Sequence, residues 1–248
     1  MFEAVLTDRP SLRLNPLHRP ESYRDVFGGH RRLHIPDILM LDSAMELHGL
    51  LNEADDWTRS FHVGTGQDLD ISVRELEAMP APERAELERS LADSSTDTLQ
   101  YVFDTVRISA ELEAGRPVAR AMQAARDFIN SRAFLDFVAA VTGDHRLAFA
   151  DVMATRYLPN HFLTAHGDEN PLQKRLYAYV LNLTPIWRAD WGGILMFLDE
   201  DGHVAEGYVP AFNALNLFAV PQLHAVSMVT RLAQTPRLSI TGWIHAAD

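Results

Sequence analysis

The chain has 248 residues, 47% of them hydrophobic and 23% charged, with a net charge of −12. This length and apolar content allow one large or two small domains with a buried core. No stretch approaches the ~20 apolar residues of a membrane span, and residues 1–10 carry three charges in place of a secretory apolar core. A negative chain without a Lys/Arg-rich run argues against nucleic acid binding. We therefore expect a cytoplasmic protein that binds neither nucleic acid nor membrane.

The sequence contains no cysteine. Disulfides, thiolate zinc sites and iron–sulfur clusters are therefore excluded. Any metal ion must be held by histidine and carboxylate side chains, which favours a harder ion.

The first elements are short. Residues 1–31 are rich in proline and arginine without a period, and we expect them to wrap over the surface. Residues 32–41 predict a short edge strand around a proline. Ser43 and Glu46 have the spacing of a capping box, which predicts a helix from Ser43 to about Leu51.

The middle of the chain changes from an irregular pattern to a helical one. Residues 54–80 mix strand-like spacing with glycines and acidic residues, and we interpret them as a loop or lid. From Pro82 to Val141 apolar residues recur at helical spacing, and Pro82 and Pro117 stand where first-turn prolines belong. We predict three or four helices that end at Gly143.

After Gly143 the pattern turns to strands separated by clusters of Pro, Gly, Asp or Asn, which is typical of an antiparallel sandwich or barrel. The predicted strands are Leu147–Leu158, Arg175–Leu183, Ile194–Leu198, Val204–Val209, Ala214–Val220 and Arg237–Ile244. Helices followed by strands, without a break in composition, predict one α+β domain over residues 1–248. Residues 1–143 would form its supporting N-terminal part and residues 144–248 its core.

Two side chains in the strand-rich half could share one ion. If the segment around His166 and Asp168 is extended, both side chains point to one face of the strand. His224 lies 58 residues after His166 and offers a second imidazole.

Further features follow in a fixed order. A glycine pair, Gly192 and Gly193, leads into an apolar strand; a Pro-x-x-Asn turn, Pro210 to Asn213, leads into another; Arg237 begins the last strand. With the His-x-Asp and the second histidine, this order resembles the Fe(II)- and 2-oxoglutarate-dependent dioxygenases. Within that family, residues 147–245 are most similar to the prolyl 4-hydroxylase-like branch.

The resemblance implies a double-stranded β-helix, a cupin-like jelly roll, with the N-terminal helices packed on one sheet. It implies His166, Asp168 and His224 as the catalytic iron ligands, 2-oxoglutarate as cosubstrate, O₂ as oxidant and ascorbate as an accessory reductant. The halogenating relatives have a small residue in place of the carboxylate, so Asp168 indicates a hydroxylase.

The same resemblance implies the cosubstrate-binding residues. Arg237 matches the cation that pairs with the far carboxylate of 2-oxoglutarate, and a guanidinium suits that bidentate role. Ser239 lies two residues further on the same strand face and could donate to the same carboxylate. Tyr157 matches a tyrosine that lines the cosubstrate pocket in relatives. Asn182 occupies a position where many relatives have a tyrosine, which is a departure from the family pattern.

The other candidate residues are interpreted as structural. Trp191 and Trp243 are expected to be core aromatics, and residues 199–202 a solvated hairpin turn. The remaining histidines are expected to be core or surface residues rather than ligands. They are His18, His30, His34, His48, His62, His145, His161, His203 and His245.

Three functions remain open. The first is hydroxylation of a prolyl residue in a protein or peptide. The second is hydroxylation of a free amino acid or another small molecule, with residues 54–116 as a lid. The third is a metal-free jelly-roll binding protein, against which the complete triad and Arg237 argue. The sequence does not specify an oligomeric state.

Overall fold

The computed structural model describes residues 12–63, 67–92, 99–170 and 173–247. Within these residues the helices are α1 (Arg24–His30), α2 (Leu41–Glu53), α3 (Val73–Ala78), α4 (Ala81–Ala92), α5 (Ile108–Glu113), α6 (Arg120–Ile129) and α7 (Arg132–Thr142). Two short 3₁₀ turns cover Pro20–Tyr23 and Ala189–Trp191. Among the described helices, none has the length and apolar character needed to cross a bilayer.

The strands are β1 (Arg32–Ile35), β2 (Thr58–Val63), β3 (Gln67–Ser72), β4 (Tyr101–Val106), β5 (Leu147–Ala150), β6 (Met153–Tyr157), β7 (Phe162–His166), β8 (Arg175–Asn182), β9 (Leu195–Leu198), β10 (Val204–Tyr208), β11 (Ala214–Ala219), β12 (His224–Val226) and β13 (Arg237–Ala246). Paired strands form one sheet in the order β1-β11-β8-β13-β6-β4-β7-β12-β9-β10. β4 pairs with β6 through its C-terminal half and with β7 through its N-terminal half. Strand β4 therefore connects the β6 side of the sheet to the β7 side, and the sheet nearly closes into an antiparallel barrel.

The two ends of this sheet path, β1 and β10, meet through side chains. The guanidinium of Arg32 pairs with the carboxylate of Glu206 at 2.5 Å, and the rings of His34 and Tyr208 lie 5.3 Å apart. We call these four residues the seam. Side-chain contacts at the seam therefore bring together strands that no main-chain ladder joins.

The main core lies between the helices and one face of the sheet. Phe134 and Val138 of α7 and Leu47 of α2 are buried there against Tyr179 of β8 and Leu215 of β11. The alternate residues of the same strands point into the barrel, because strand side chains alternate between the two faces. The helices thus support one face of the sheet, as predicted, and leave the barrel interior for a site.

The N-terminal predictions need two corrections. Residues 12–31 do not only wrap over the surface, because α1 buries Phe27 in the core; residues 1–11 lie outside the described part. The predicted capping box at Ser43 and Glu46 is also wrong. Helix α2 begins at Leu41, and the buried Ser43 hydroxyl accepts from the Arg13 amide at 3.2 Å.

The predicted loop or lid over residues 54–80 is largely regular structure. It contains the hairpin β2–β3 and helix α3, whereas residues 64–66 lie outside the described part. Strand β4 was missed inside the segment predicted as helical. Its aromatic and β-branched residues suit a strand, and β2 pairs with it from Thr58 to His62, so this hairpin extends the sheet.

The other predicted elements match more closely. Helices α4 to α7 occupy the helical segment, Pro82 lies in the first turn of α4, and α7 ends at Gly143 in a left-handed conformation. Pro117 precedes α6 instead of lying in its first turn. Strands β8, β9, β10, β11 and β13 fall within two residues of their predicted bounds. The single strand predicted over residues 147–158 is divided into β5 and β6, and β7 and β12 were not among the predicted strands.

One ion network joins the N-terminal hairpin to the barrel. Asp104 of β4 is fully buried and accepts hydrogen bonds from Arg59 of β2 at 2.6 and 3.2 Å. It also accepts from Arg156 of β6 at 3.0 and 2.8 Å. A buried carboxylate that satisfies two guanidinium groups fixes the alignment of three neighbouring strands.

We expect Asp104→Ala to lower the free energy of unfolding by about 3 kcal/mol, because two largely buried guanidinium groups lose their anion. The matched control is Asp136→Ala, which breaks the exposed Arg132–Asp136 pair and should cost less than about 0.5 kcal/mol. Urea unfolding of both variants measures the difference. Equal losses in the two variants would contradict a stabilising role for the buried network.

Candidate metal centre

The two imidazoles of the predicted triad are brought together by strand pairing. His166 at the end of β7 is the register partner of His224 at the start of β12, and the ring centroids lie 4.2 Å apart. The Nδ1 atom of His166 lies 2.9 Å from the carbonyl of Thr164, and that of His224 lies 2.8 Å from the carbonyl of Gln222. Because a carbonyl can only accept, both Nδ1 atoms carry the proton and both Nε2 atoms present a lone pair.

Asp168 completes the cluster from a turn. Strand β7 ends at His166, and Asp168 has φ of 66°, a left-handed conformation that aspartate tolerates better than most residues. The shared strand face predicted for His166 and Asp168 is therefore wrong, although the two groups do meet. The Asp168 carboxylate oxygens lie 3.2 Å from Nε2 of His166 and 3.4 Å from Nε2 of His224.

The spacing and environment of these atoms suit one divalent ion. Two ligands at right angles, each about 2.1 Å from an ion, lie about 3 Å apart, close to the observed separations. The three candidate ligand atoms all lie within 4.8 Å of one another. Among the described residues, this is the one group of three or more such side chains with ligand spacing. His166, Asp168 and His224 therefore have a geometry that could hold a metal.

The pKa directions of Asp168 and His224 favour metal binding, whereas that of His166 does not. Burial raises the pKa of Asp168, but the hydrogen bond that a protonated His166 donates and the charges of the two imidazoles outweigh it, so the pKa lies below its usual value. Burial lowers the pKa of His224. For His166 the burial effect is outweighed by the hydrogen bond and charge of Asp168, which raise its pKa. The ionised carboxylate and the neutral His224 are the states that a cation requires, and a cation bound here would have to displace a proton from His166.

A cavity of about 100 Å³ opens beside the triad. This is several times the volume of one water molecule. Its walls are mostly apolar side chains of the barrel interior, including Leu163, Leu195, Phe218 and Val226. The polar groups converge on it from two places, the triad and the start of β13.

Arg237 is the second polar feature of this cavity. It is 2% exposed, its Nε atom has no hydrogen-bond partner among the described residues, and burial lowers its pKa. No carboxylate of the described chain lies within ion-pair distance of it. Gly193 makes this placement feasible, since a Cβ there would lie 3.1 Å from Cδ of Arg237. A buried, unpaired guanidinium is costly unless an anion joins it, so the site fits an anionic ligand with a carboxylate.

The other predicted cosubstrate residues differ in their positions. Tyr157 lines the cavity, with its ring 5.0 Å from Cζ of Arg237, and burial raises its pKa to about 12. Ser239 also lines the cavity, and its hydroxyl lies 2.7 Å from that of Thr155. Asn182 is the register partner of Ser239 but does not line the cavity, and its amide donates to the Ala214 carbonyl at 3.4 Å.

Two aromatic residues of the cavity and one arginine beside it were missed from the sequence. Trp243, expected to be a core aromatic, lines the cavity; its even spacing from Arg237 could have indicated this, because both lie on one strand face. Phe103 stacks on Tyr157 at 5.3 Å from the undetected strand β4. The Arg175 guanidinium lies 3.6 Å over the Trp243 ring and donates to the Asp168 carbonyl at 3.1 Å.

The position of Arg175 depends on a strand irregularity. The register between β8 and β13 shifts between Arg175 and Tyr177, so Arg175 pairs with His245 and turns toward Trp243. A bulge re-aims a side chain in this way. The alternation of β8 alone would place Arg175 on the face of Tyr177 and Tyr179, and the sequence carried no signal for the shift.

Apart from Trp243, residues outside the predicted site have structural contacts. His161 is buried outside the triad, and burial lowers its pKa to about 4. The Asn213 side chain exchanges two hydrogen bonds with the main chain of Leu39, at 3.0 and 2.8 Å. Asp199 caps the β9–β10 hairpin by accepting from the amides of Asp201 and His203.

We expect the protein to bind Mn²⁺ or Co²⁺ and gain stability, because a ligand that binds only the folded state stabilises it by about 2.7 kcal/mol at 100 times Kd. Asp168→Ala should abolish this gain, whereas Asp199→Ala in the hairpin turn should keep it. Thermal unfolding with and without the metal gives the comparison. A full metal-induced shift in Asp168→Ala would remove this carboxylate from the ligand set.

Comparison with known proteins gives a family match for this region. Residues 152–245 match the model of the 2OG-Fe(II) oxygenase superfamily. The mouse protein named prolyl 3-hydroxylase OGFOD1 is 33% identical over 125 residues, which cover 48% of this chain and 22% of the relative. The Xenopus laevis protein of the same name is 29% identical over 122 residues, 46% of this chain and 23% of the relative. The chain therefore spans less than a quarter of the length of these relatives.

Solved structures match over nearly the whole chain. A prolyl-4-hydroxylase from Pseudomonas putida matches with a TM-score of 0.56 and 17% identity, over 95% of this chain and 98% of its own. A 2OG-Fe(II) oxygenase family oxidoreductase from Burkholderia pseudomallei matches with a TM-score of 0.61 and 13% identity, over 95% and 94%. At such identities the likeness concerns the fold, and it confirms the predicted jelly roll with N-terminal helices.

Proposed function

We propose that the chain is an Fe(II)- and 2-oxoglutarate-dependent dioxygenase that hydroxylates a prolyl residue in a protein or peptide, because residues 152–245 match the model of the 2OG-Fe(II) oxygenase superfamily. One observation carries this proposal: a His-Asp-His cluster and a buried guanidinium without an anion share one cavity. A binding protein without metal chemistry would have no need for both.

In this proposal His166, Asp168 and His224 hold the iron. Their donor set, two neutral nitrogens and one carboxylate oxygen, is the facial triad of non-haem iron oxygenases. When bound, iron with 2-oxoglutarate and O₂ supplies the oxidant that converts a C–H bond to C–OH, while 2-oxoglutarate becomes succinate and CO₂. The protein's part is to bind, orient and shield the reactants.

Arg237 would bind the far carboxylate of 2-oxoglutarate. Its guanidinium is rigid, always charged and already desolvated, so pairing with a carboxylate replaces an unfavourable buried charge by a charge-assisted hydrogen-bonded pair. Ser239 lies two residues away on the same face and can donate its hydroxyl to the same group. The Tyr157 ring forms the wall beside them. Asn182 does not line the cavity and is given no part in binding 2-oxoglutarate.

The apolar walls have a separate role. Leu195, Phe218 and Val226 are buried and surround the space between the triad and Arg237. Side chains without hydrogen-bonding groups keep bulk water from the reacting atoms, and a drier site strengthens the interactions that orient the charged cosubstrate.

The substrate side is proposed to be formed by Trp243 and Arg175. Both lie beside Asp168 and are partly exposed. The indole offers a flat apolar surface for a pyrrolidine ring, and the guanidinium offers donors for the carbonyl of a peptide bond. The curated relatives and one structural match are named prolyl hydroxylases, which supports a prolyl substrate.

We expect anaerobic addition of 2-oxoglutarate to the Fe(II)-loaded protein to produce the weak visible charge-transfer band of a chelated keto acid. His224→Ala should abolish the band, because an iron ligand is lost. Arg237→Ala should still give the band, but at least about 10-fold more 2-oxoglutarate should be needed, since a charge-assisted pair is removed. Absorption spectroscopy during the titration measures both effects.

The control is Arg188→Ala, which removes an exposed arginine that pairs with Asp190. It should titrate like the wild type. If folded, iron-loaded wild-type protein gives no band, the dioxygenase assignment is refuted. An unchanged titration in Arg237→Ala would place the carboxylate anchor elsewhere.

We expect peptides with a central proline to gain one oxygen atom, with an equal amount of succinate formed, whereas matched alanine peptides should not. Arg175→Met and Trp243→Ala should each lower peptide hydroxylation by at least about 10-fold, because a substrate contact is lost, while the keto acid band persists. Mass spectrometry of the peptides and succinate measurement provide the test. Oxygen insertion into free proline but none of the peptides would favour the small-molecule alternative.

A further inference from the structure

We propose that Gln222 is a positioning residue for the metal centre. Its main-chain carbonyl orients the His224 imidazole, and its side chain holds that carbonyl in place by binding the chain at the start of β1. The inference rests on the proposed function in one respect, the role of His224 as a metal ligand. It adds an outer residue whose side chain does not enter the cavity.

The first link is the carbonyl of Gln222. It lies 2.8 Å from Nδ1 of His224, two residues later in the chain. This hydrogen bond fixes the ring tautomer, so that Nε2 presents its lone pair toward Asp168, 3.4 Å away. The partner of the second ring nitrogen sets the orientation and basicity of a metal-binding histidine. A shift of this carbonyl would therefore rotate the imidazole relative to the other two ligands.

The second link is the side chain of Gln222. Its Nε2 donates to the carbonyl of Arg31 at 2.8 Å, and its Oε1 accepts from Nη1 of Arg32 at 3.4 Å. Arg31 ends helix α1 in a left-handed conformation, with φ of 59°, and its carbonyl also accepts from the amide of Ala219 on β11. The Gln222 side chain thus binds a carbonyl that is itself held at a fixed helix end.

The third link is the packing around His224. Arg32, the cation of the seam, lies 4.8 Å over the ring of Phe197. Phe197 and Phe218 pack against the His224 ring, with centroids at 6.3 and 4.7 Å. Arg31 and Arg32, at the start of β1, therefore constrain His224 twice, through the Gln222 hydrogen bonds and through the contact of Arg32 with Phe197.

His166 has an equivalent arrangement, which argues against coincidence. Its Nδ1 lies 2.9 Å from the carbonyl of Thr164, again two residues earlier. The Thr164 hydroxyl donates to the Gln100 carbonyl at 3.0 Å and accepts from the Gln100 amide at 2.8 Å. Each imidazole is thus held by a carbonyl whose residue is clamped to the chain next to an N-terminal strand, β1 or β4. The N-terminal part would orient two ligands without supplying any.

The test uses Co²⁺, whose visible absorption reports ligand geometry, in anaerobic titrations of the full chain. Gln222→Met keeps the side-chain length but removes both clamping hydrogen bonds. Removing a group that orients a metal ligand typically costs 10–100-fold in metal affinity, so we expect Co²⁺ affinity to fall at least about 10-fold with an altered spectrum. The melting temperature without metal should stay close to that of the wild type.

Three further variants complete the design. Thr164→Val should weaken Co²⁺ binding in the same way, and Thr164→Ser, which keeps the hydroxyl, should restore it. Gln123→Met on helix α6 makes the same chemical change away from the sheet and should bind like the wild type. Co²⁺ binding and thermal unfolding without metal are measured in parallel for Gln222→Met and Gln123→Met.

The outcomes separate this proposal from the function on which it rests. If the wild type binds Co²⁺ and Gln222→Met binds it equally well, the positioning role is refuted and the proposed function stands. If Gln222→Met loses affinity only in proportion to a fall in melting temperature, a general structural role replaces the positioning role. A wild type that binds no Co²⁺ refutes both proposals.

Discussion

The pairing of β7 with β12 is the constraint on which the site depends. These strands make His166 and His224 direct neighbours across an antiparallel ladder, where side chains on one face come closest. A shift of the strand register by one residue would turn His224 to the other face and separate it from His166 and Asp168. β12 has only three residues, so its register is fixed by pairing with β7 on one side and β9 on the other. The short strand is held by its neighbours rather than by its own length.

A site of this kind conflicts with the stability of the fold that contains it. The barrel interior is apolar, yet it holds the buried guanidinium of Arg237, which has no anion among the described residues. Buried polar groups without partners destabilise a protein by roughly 1–3 kcal/mol each. The fold offsets this with an extensive core on the other face of the sheet, where the helices pack on β8, β11 and β13. One face of the sheet thus forms the stabilising core, and the other face forms the candidate site.

This division explains what the sequence could predict. Alternating patterns predicted β8, β11 and β13. The even spacing of Arg237 and Ser239 predicted a shared strand face, and both residues line the cavity. The same rule applied to Trp243 would have placed it there too. Asp168 and Arg175 could not be placed this way, because a left-handed turn and a register shift override strand alternation. Strand β4 was not predicted because its pairing partners, β2, β6 and β7, are far from it in sequence.

The role of β4 also bears on how the chain is organised. The sequence suggested a supporting part up to residue 143 and a core after it, but the sheet crosses that boundary. β4 lies between β6 and β7, so the strand that carries His166 joins the strand that carries Tyr157 only through an N-terminal strand. β1 meets the opposite end of the sheet at the seam, through Arg32 and Glu206. Residues 144–248 supply the ligands and the anchor, but their relative placement depends on strands contributed by residues 32–106.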